Sequence, residues 1–383
     1  MANYGGDIQT AGAYKITKMV LRSQVTEEFT DIRAMFSGFE IYEDIFSPYC
    51  TAKVYMVDGV NLCERFKIRG QEILEVEIGT DLPNIKPIIK SFRVIKLDNQ
   101  KIDDNQRGQQ YVLHLMSEGG FFNHTEQCGY SVKGHISDMV GTIFEKHFSS
   151  YVWLGKINIQ ETKDDFCYAL PQPYSPFDAI EWLSHRAISG IGSEYSPYLF
   201  YETVDGYNFR SLSSIIESGE AKKDKYYFMS PNVNRNMERR ETVAMDIKSQ
   251  HPLKYHEIQT LQETSRFDML ENISSGMISS RLVVHDLITK QQRVHRFKES
   301  DVFSEIKKLG NSPILLEPSM ESNEFFANNK GVCYYYLPNT TFTNYNSKNK
   351  ITDNFRTEEY FLRRKYLIGG LYNHKIDISI FGD

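Results

Sequence analysis

The stretch FSGFEIYEDIFSPYCTAKVYMVDGVNLCERFKIRGQEILEVEI, Phe36 to Ile78, decides the fold class. Apolar residues recur between polar ones at Phe39 and Ile41, at Ala52, Val54 and Met56, and at Ile73, Val76 and Ile78. Turn signals at Ser47-Pro48, Asp58-Gly59 and Gly70 bound each run. This is the grammar of one continuous antiparallel β unit in a small barrel or curved sheet, with Val54 and Ile78 facing inward. It contains no catalytic constellation and reads as a building part.

Before it, residues 1–12 are small and polar, an extended arm, and strands are expected from Tyr14 to Arg22 and from Phe29 to Tyr42. After it, Pro83 and Pro87 punctuate a loop, Ile88 to Leu97 forms a strand, and the polar turn Asp98 to Gln110 leads into Tyr111 to Met116. Residues 13–116 therefore read as one β-barrel domain.

The pattern changes at Ser117. Ile136, Met139, Val140, Ile143 and Phe144 keep helical spacing. A second helix starts at Ser175-Pro176, with Ser175 as cap, Pro176 in the first turn and Asp178 completing a capping box; its apolar face is Phe177, Ile180, Leu183 and Ala187. Tyr151 to Gln160 alternates as a strand, and Tyr198 to Val204 and Tyr207 to Leu212 flank Asp205-Gly206, a two-residue loop suited to a type I′ turn. Residues 117–218 form an inserted α+β domain.

Residues 219–299 are a second β segment, part of a second barrel, in which Leu282–Asp286 pairs with Arg293–Phe297 across a turn near Thr289-Lys290. Residues 300–353, with the Tyr334-Tyr335-Tyr336 cluster, read as a polar surface insertion. Residues 354–383 return to the second barrel through a helix, Arg356 to Gly369, that Gly369-Gly370 ends, and a strand, Lys375 to Phe381.

Composition narrows the function classes. Among 383 residues, 24 Tyr and 24 Phe against 2 Trp suit half-buried sheets and subunit interfaces. A net charge of −6 with interspersed signs argues against a surface built to neutralise phosphates. The basic spots Arg239-Arg240 and Arg363-Arg364-Lys365 read as solvated faces or helix ends. Five cysteines without a C-x-x-C pair read as buried thiols in a reducing compartment. The N-terminus has no apolar signal region, and no apolar run is long enough to span a membrane.

No group of residues compels a chemistry. His124 and His135 lie near Cys128 but lack the second pair a metal needs. His251, His256 and Glu257 have no nucleophile beside them. The run Ser189-Gly190-Ile191-Gly192-Ser193 follows a helix rather than a strand, so it reads as a helix cap and loop. Asp103-Asp104 and Asp164-Asp165 sit in polar turns. Catalytic, cofactor-binding and metal-ligating residues are all expected to be absent, and the chain is not expected to be an enzyme.

The serial order of several segments resembles the central baseplate hub protein of contractile-tailed bacteriophages, over most of the chain. They are FEIYEDIFSPYCTAKVYMVDGVNL (Phe39 to Leu62), RGQEILEVEI (Arg69 to Ile78), YVLHLMSEGGFFN with SVKGHISDMVGTIFEKHF, PFDAIEWLSHRAIS with YLFYETVDGYNFRSL, and FLRRKYLIGGLYNHKIDISIFGD (Phe361 to Asp383). The resemblance implies an α+β, mainly β fold: two tail-tube-type β-barrel domains with an inserted α+β domain. It implies a homotrimeric ring that adapts a hexameric tail tube to a trimeric central spike and leaves a channel for genome passage. The partners implied are the spike protein, the tail tube protein, other baseplate proteins and a tape measure protein, with DNA only in transit. The location implied is the virion baseplate, after synthesis in the host cytoplasm. Family members continue past the terminal Gly-Asp, so either further strands follow or the second barrel closes differently. Two other readings stand beside it: the hub of a phage-derived contractile injection system, and, in a different class, a tail-associated cell-wall hydrolase. A host-binding module would need exposed Trp platforms, for which only Trp153 and Trp182 are available.

Overall fold

The computed structural model describes residues 14–24, 28–79, 86–102, 108–149, 156–163, 165–170, 173–190, 194–221, 226–228, 257–265, 268–287, 290–302, 332–337, 350–373 and 375–380. The fold is mainly β.

The first unit contains β1 (Lys15–Arg22), β2 (Phe29–Asp31), β3 (Phe36–Tyr42), β4 (Thr51–Asp58), a short helix α1 (Leu62–Phe66), β5 (Ile73–Gly79), β6 (Ile88–Ile102) and β7 (Gln109–Ser117). These strands make one antiparallel sheet in the order β2-β1-β5-β6-β7-β4-β3, curled into a half-barrel. The Phe36 to Ile78 stretch is therefore not continuous in space. Its β3–β4 hairpin lies at one edge, whereas α1 carries the chain across so that β5 pairs with β1 and β6. The expected second strand is also split, into β2 and β3.

Alternation places Met19, Leu21, Ala52, Val54, Met56, Leu74, Val76, Phe92, Val94, Tyr111, Leu113 and Leu115 in one core. In β5 the inward set is Leu74, Val76 and partly Ile78; Ile73 takes the opposite face with Glu75, because side chains alternate with a strict period of two. Asp58, buried at the end of β4, is fully used: it accepts from the N–H groups of Val60 and Leu62 and from the Tyr111 hydroxyl.

The second unit comprises α2 (Glu118–Asn123), β8 (Ser131–His135), α3 (Ile136–Phe148), β9 (Lys156–Ile159), β10 (Asp165–Ala169), α4 (Pro176–Ser184), β11 (Tyr198–Thr203), β12 (Gly206–Ser211) and α5 (Leu212–Ala221). Ile136, Met139, Val140, Ile143 and Phe144 are all buried, as their spacing predicts. So are Phe177, Ile180, Leu183 and, just beyond the helix, Ala187. The Ser175–Asp178 capping box forms at α4. The β11–β12 hairpin also forms, but the turn differs from the expected one: its two central residues are Val204 and Asp205, and Gly206 already belongs to β12 with φ 139°. The reason is β9, which pairs in parallel along β12; a Cβ on Gly206 would overlap the Lys156 carbonyl oxygen.

The third unit holds β13 (Tyr227–Phe228), β14 (Glu257–Ser265), α6 (Met269–Ser274), β15 (Ser279–Asp286), β16 (Gln291–Lys298), α7 (Glu299–Val302), β17 (Val332–Tyr336), α8 (Lys350–Asn373) and β18 (Lys375–Ile380). They build two three-stranded sheets, β13-β14-β18 and β16-β15-β17. The predicted β15–β16 hairpin pairs Leu282 with His295 and Asp286 with Gln291. The tyrosine cluster is a strand of this sheet, paired in parallel with β15. α8 does not stop at Gly369-Gly370; Gly369 lets the helix lie against Met277, where a Cβ would crowd the sulfur, and the helix runs on to Asn373. The last strand finds its partner far back in the chain, with Ile378 opposite Leu261.

Candidate assembly surface

Two features of the described residues stand out: a junction that fixes the units together, and surfaces on which the sheets stop without a partner.

The junction between the half-barrel and the α+β unit is polar and buried. Lys90 on β6 reaches Glu202 on β11 at 2.9 Å, with side chains 9% and 5% exposed. The same ammonium donates to the Thr203 carbonyl at 2.6 Å. Glu202 also accepts from the Cys50 N–H at 2.8 Å and from the Ser117 hydroxyl, so its charge has three partners. The Cys50 thiol donates to the Glu202 carbonyl at 3.3 Å; burial, with the Glu202 charge next, pushes its pKa up to about 12. Nearby, the Val204 N–H donates to Glu43.

A second cation joins α8 to the α+β unit. Arg364 is buried and donates to the carbonyls of His185 (2.6 Å) and Ala187 (2.5 Å), immediately after α4. No carboxylate pairs with it among the described residues; the partial negative charge at the end of α4 is its counter-charge. Desolvation lowers its pKa to about 10. Arg363 stacks on Tyr195 and Lys365 on Tyr334, so of the basic triplet Arg364 is buried, Arg363 is half-buried and Lys365 stays exposed, each with a packing partner. Within the third unit, Glu358 on α8 receives a bidentate contact from Arg293 at 3.1 and 2.9 Å.

The open surfaces lie beyond these junctions. Among the described residues, β2 and β3 leave the two edges of the seven-stranded sheet unpaired. In the β13-β14-β18 ribbon, Ile376, Ile378 and Ile380 alternate onto one face, joined there by Leu261, and Ile376 and Ile378 are 47% and 53% exposed. The three strands pack chiefly on one another. A thin ribbon with a bare apolar face is marginal in water. The opposite face is polar, with Thr264 donating to Asp377 at 2.5 Å. On the outer face of the half-barrel, Tyr42, Asp44, Tyr49, Lys53, Ile95 and His114 border a depression of ≈ 460 Å³.

The sequence-derived chemical candidates do not come together. His124 lies edge-on to Tyr49 and His135 contacts Asp165 at 3.5 Å; no contact of either with Cys128 occurs among the described residues. His147, on the last turn of α3, makes one, with its Nε2 3.5 Å from the Cys128 sulfur and its Nδ1 3.1 Å from Glu126. The order Cys-His-Glu resembles a nucleophile and base, but the thiol is 1% exposed and burial raises its pKa. The Cys128 N–H is also used, donating to the Tyr174 carbonyl. Among the described residues no three His, Cys, Asp or Glu side chains form a metal-holding group. Ser189 and Gly190 adjoin Thr162 and Glu161 at the end of α4. Trp182 packs between Tyr168 and Arg186 rather than forming a platform. His251, His256, Asp103-Asp104, Asp164, Trp153, Arg239-Arg240 and Ile191 to Ser193 lie outside the described residues. No helix among the described residues is long and apolar enough to cross a membrane.

No family model matches the chain, and no curated protein sequence matches it. Among solved structures, its fold is similar to the tail protein from Neisseria meningitidis MC58, at 10% identity and a TM-score of 0.47 over 96% of this chain and 80% of that one. It is likewise similar to the 43 kDa tail protein of prophage MuSo2 from Shewanella oneidensis, at 7% identity and 0.47 over 95% and 80%. A lidded PdpA-VgrG complex from Francisella matches at 9% identity and 0.42, over 86% of this chain and 41% of that one.

Proposed function

We propose that this chain is a structural component of a contractile tail: a baseplate hub that forms a homotrimeric ring between the tail tube and the central spike. The observation that carries this reading is the pair of unfinished β surfaces. Among the described residues the half-barrel ends in unpaired edges, and the β13-β14-β18 ribbon leaves Leu261, Ile376, Ile378 and Ile380 exposed. Open edges and bare apolar sheet faces are liabilities in a free monomer and are ordinary where neighbouring subunits cover them. The order of segments along the sequence points to the hub among assembly proteins, and the balanced acidic charge suits a channel wall that must not hold DNA. The hub of a phage-derived injection system would use the same surfaces.

The test is the mass and symmetry of the purified chain, by light scattering and by class averages of negatively stained particles. A threefold ring with an open axis is expected, and it should retain a trimeric spike on a sizing column. A chain that stays monomeric at high concentration overturns the reading. Turnover of peptidoglycan by the purified chain would favour the hydrolase instead.

A further inference from the structure

We propose that Cys128, Tyr130 and His147 form a binding site for a soft divalent transition-metal ion, of which Zn²⁺ is the type, with Glu126 orienting the histidine. The three donor atoms converge. Cys128 Sγ lies 3.5 Å from His147 Nε2, the Tyr130 hydroxyl lies 3.1 Å from the same nitrogen, and sulfur and hydroxyl are 3.9 Å apart. Ligands at 2.0–2.3 Å from a tetrahedral ion stand about 3.3–3.6 Å from one another, so the triangle needs only small adjustments to receive one.

The residue arrangement explains the convergence. Cys128 and Tyr130 are two apart in the segment between α2 and β8, and both side chains reach the same nitrogen of His147. Their main chain is pinned at both ends, by Cys128 N–H to the Tyr174 carbonyl and by Leu170 N–H to the Tyr130 carbonyl. His147 comes from the rigid last turn of α3, and its ring lies nearly parallel to Tyr130. Glu126 accepts a hydrogen bond from the Nδ1–H at 3.1 Å, which favours that tautomer and leaves the Nε2 lone pair toward the sulfur and the phenol. A carboxylate behind a ligating histidine is the usual support in metal centres. The third ligand is a phenol, so the set is not a cluster of His, Cys, Asp and Glu alone. Lys146, whose ammonium lies 3.4 Å from the Tyr130 ring centroid, is a cation that opposes the ion. On binding, the S–H bond breaks and an S–metal bond forms, with the proton passing to solvent; the phenol coordinates as a neutral oxygen or releases its proton likewise.

The experiment uses the full chain, stripped with chelator and kept reduced, titrated with Co²⁺ and then competed with Zn²⁺. One equivalent of Co²⁺ should give a thiolate-to-cobalt charge-transfer band that Zn²⁺ bleaches. Cys128→Ser should lose the band, whereas Cys63→Ser should keep it. Glu126→Gln should weaken binding about 10- to 100-fold, and Tyr130→Phe should weaken it at least tenfold while keeping the band. His147→Gln, which leaves the buried thiol in place, should abolish tight binding and so serves if Cys128→Ser does not fold. A wild-type chain without the band, equal uptake by a folded Cys128→Ser or His147→Gln chain, or unchanged affinity in Tyr130→Phe would overturn the site.

Discussion

Replacing Lys90 by Met tests whether the half-barrel and the α+β unit are held as one body by a buried charge. The substitution keeps the aliphatic stem and removes the ammonium that stands 2.9 Å from Glu202 and 2.6 Å from the Thr203 carbonyl. Removing one partner of a buried pair costs about 3–5 kcal/mol, because the remaining charge stays desolvated. Here the carboxylate keeps the Cys50 N–H and the Ser117 hydroxyl, which places the expected loss near the lower end, about 3 kcal/mol. At about 1.4 kcal/mol per decade this is roughly a 100-fold increase in opening of the junction. Cys50 reports it directly: its thiol is fully buried and bonded to the Glu202 carbonyl, and it becomes reactive only when the junction parts. Pulse labelling with a thiol reagent, read by peptide mass at Cys50, should be about 100-fold faster in Lys90→Met. Adding Glu202→Gln should restore most of the protection, since the amide keeps an acceptor for Cys50 and Ser117 without a charge to bury. Equal labelling of Cys50 in wild type and Lys90→Met would refute the argument, as would a double variant that opens more than Lys90→Met alone.

Four further outcomes are expected. Arg364→Met should expose the amides following α4, read as a loss of hydrogen-exchange protection at Ala187 of about 2–4 kcal/mol, because two carbonyls and a helix end lose their cation. Val54→Asp should prevent folding of the half-barrel, since the side chain is fully buried, whereas Ile78→Asp, at the margin of the same core, should fold with reduced stability; circular dichroism and urea melts separate the two. Ile378→Asp, on the exposed ribbon face, should change chain stability by no more than about 0.5 kcal/mol yet dissociate the proposed trimer, seen by light scattering. Burial raises the Glu118 carboxyl above its ordinary value of 4.5, with Arg93 opposing. The folded chain then holds a proton that the unfolded chain has released, so this group lowers stability as pH rises above 4.5. Glu118→Gln should flatten that decline in urea midpoints measured between there and neutrality.

Local patterning carried much of this fold. The α3 and α4 faces, the capping box at Ser175 and the β15–β16 register all depend on residues within a few positions of one another, and they form where periodicity places them. What the pattern could not supply is pairing at a distance. Nothing in the run Phe36 to Ile78 says that α1 moves β5 three strands away from β4, and nothing near Lys375 names β14 as its partner. The buried charges were hidden for another reason. Lys90, Glu202 and Arg364 occupy places where a charge is normally solvated, and only their position on an otherwise buried stripe marks them: Arg364 follows Tyr360 and precedes Leu367 at helical spacing. The same signal identifies His147, which continues the stripe of Ile143 and Phe144, whereas nearness in sequence pointed to His124 and His135.

The two interior cations assign the α+β unit its mechanical role. Lys90 enters it at the end of β11 and Arg364 enters it after α4, so the half-barrel and one long helix are each tied to the same core by directional, charge-assisted hydrogen bonds. A hydrophobic contact of equal area would tolerate sliding, because apolar packing has no preferred direction. An ammonium held between a carboxylate and a carbonyl, or a guanidinium holding two carbonyls, does not. The edges β2 and β3 and the helix α8 therefore keep a fixed relation to one body. For a subunit proposed to meet a sixfold tube with one surface and a threefold spike with another, that fixed relation is the property the fold must deliver. It makes the interior charges, rather than the exposed apolar residues, the groups whose loss would misalign a ring that still forms.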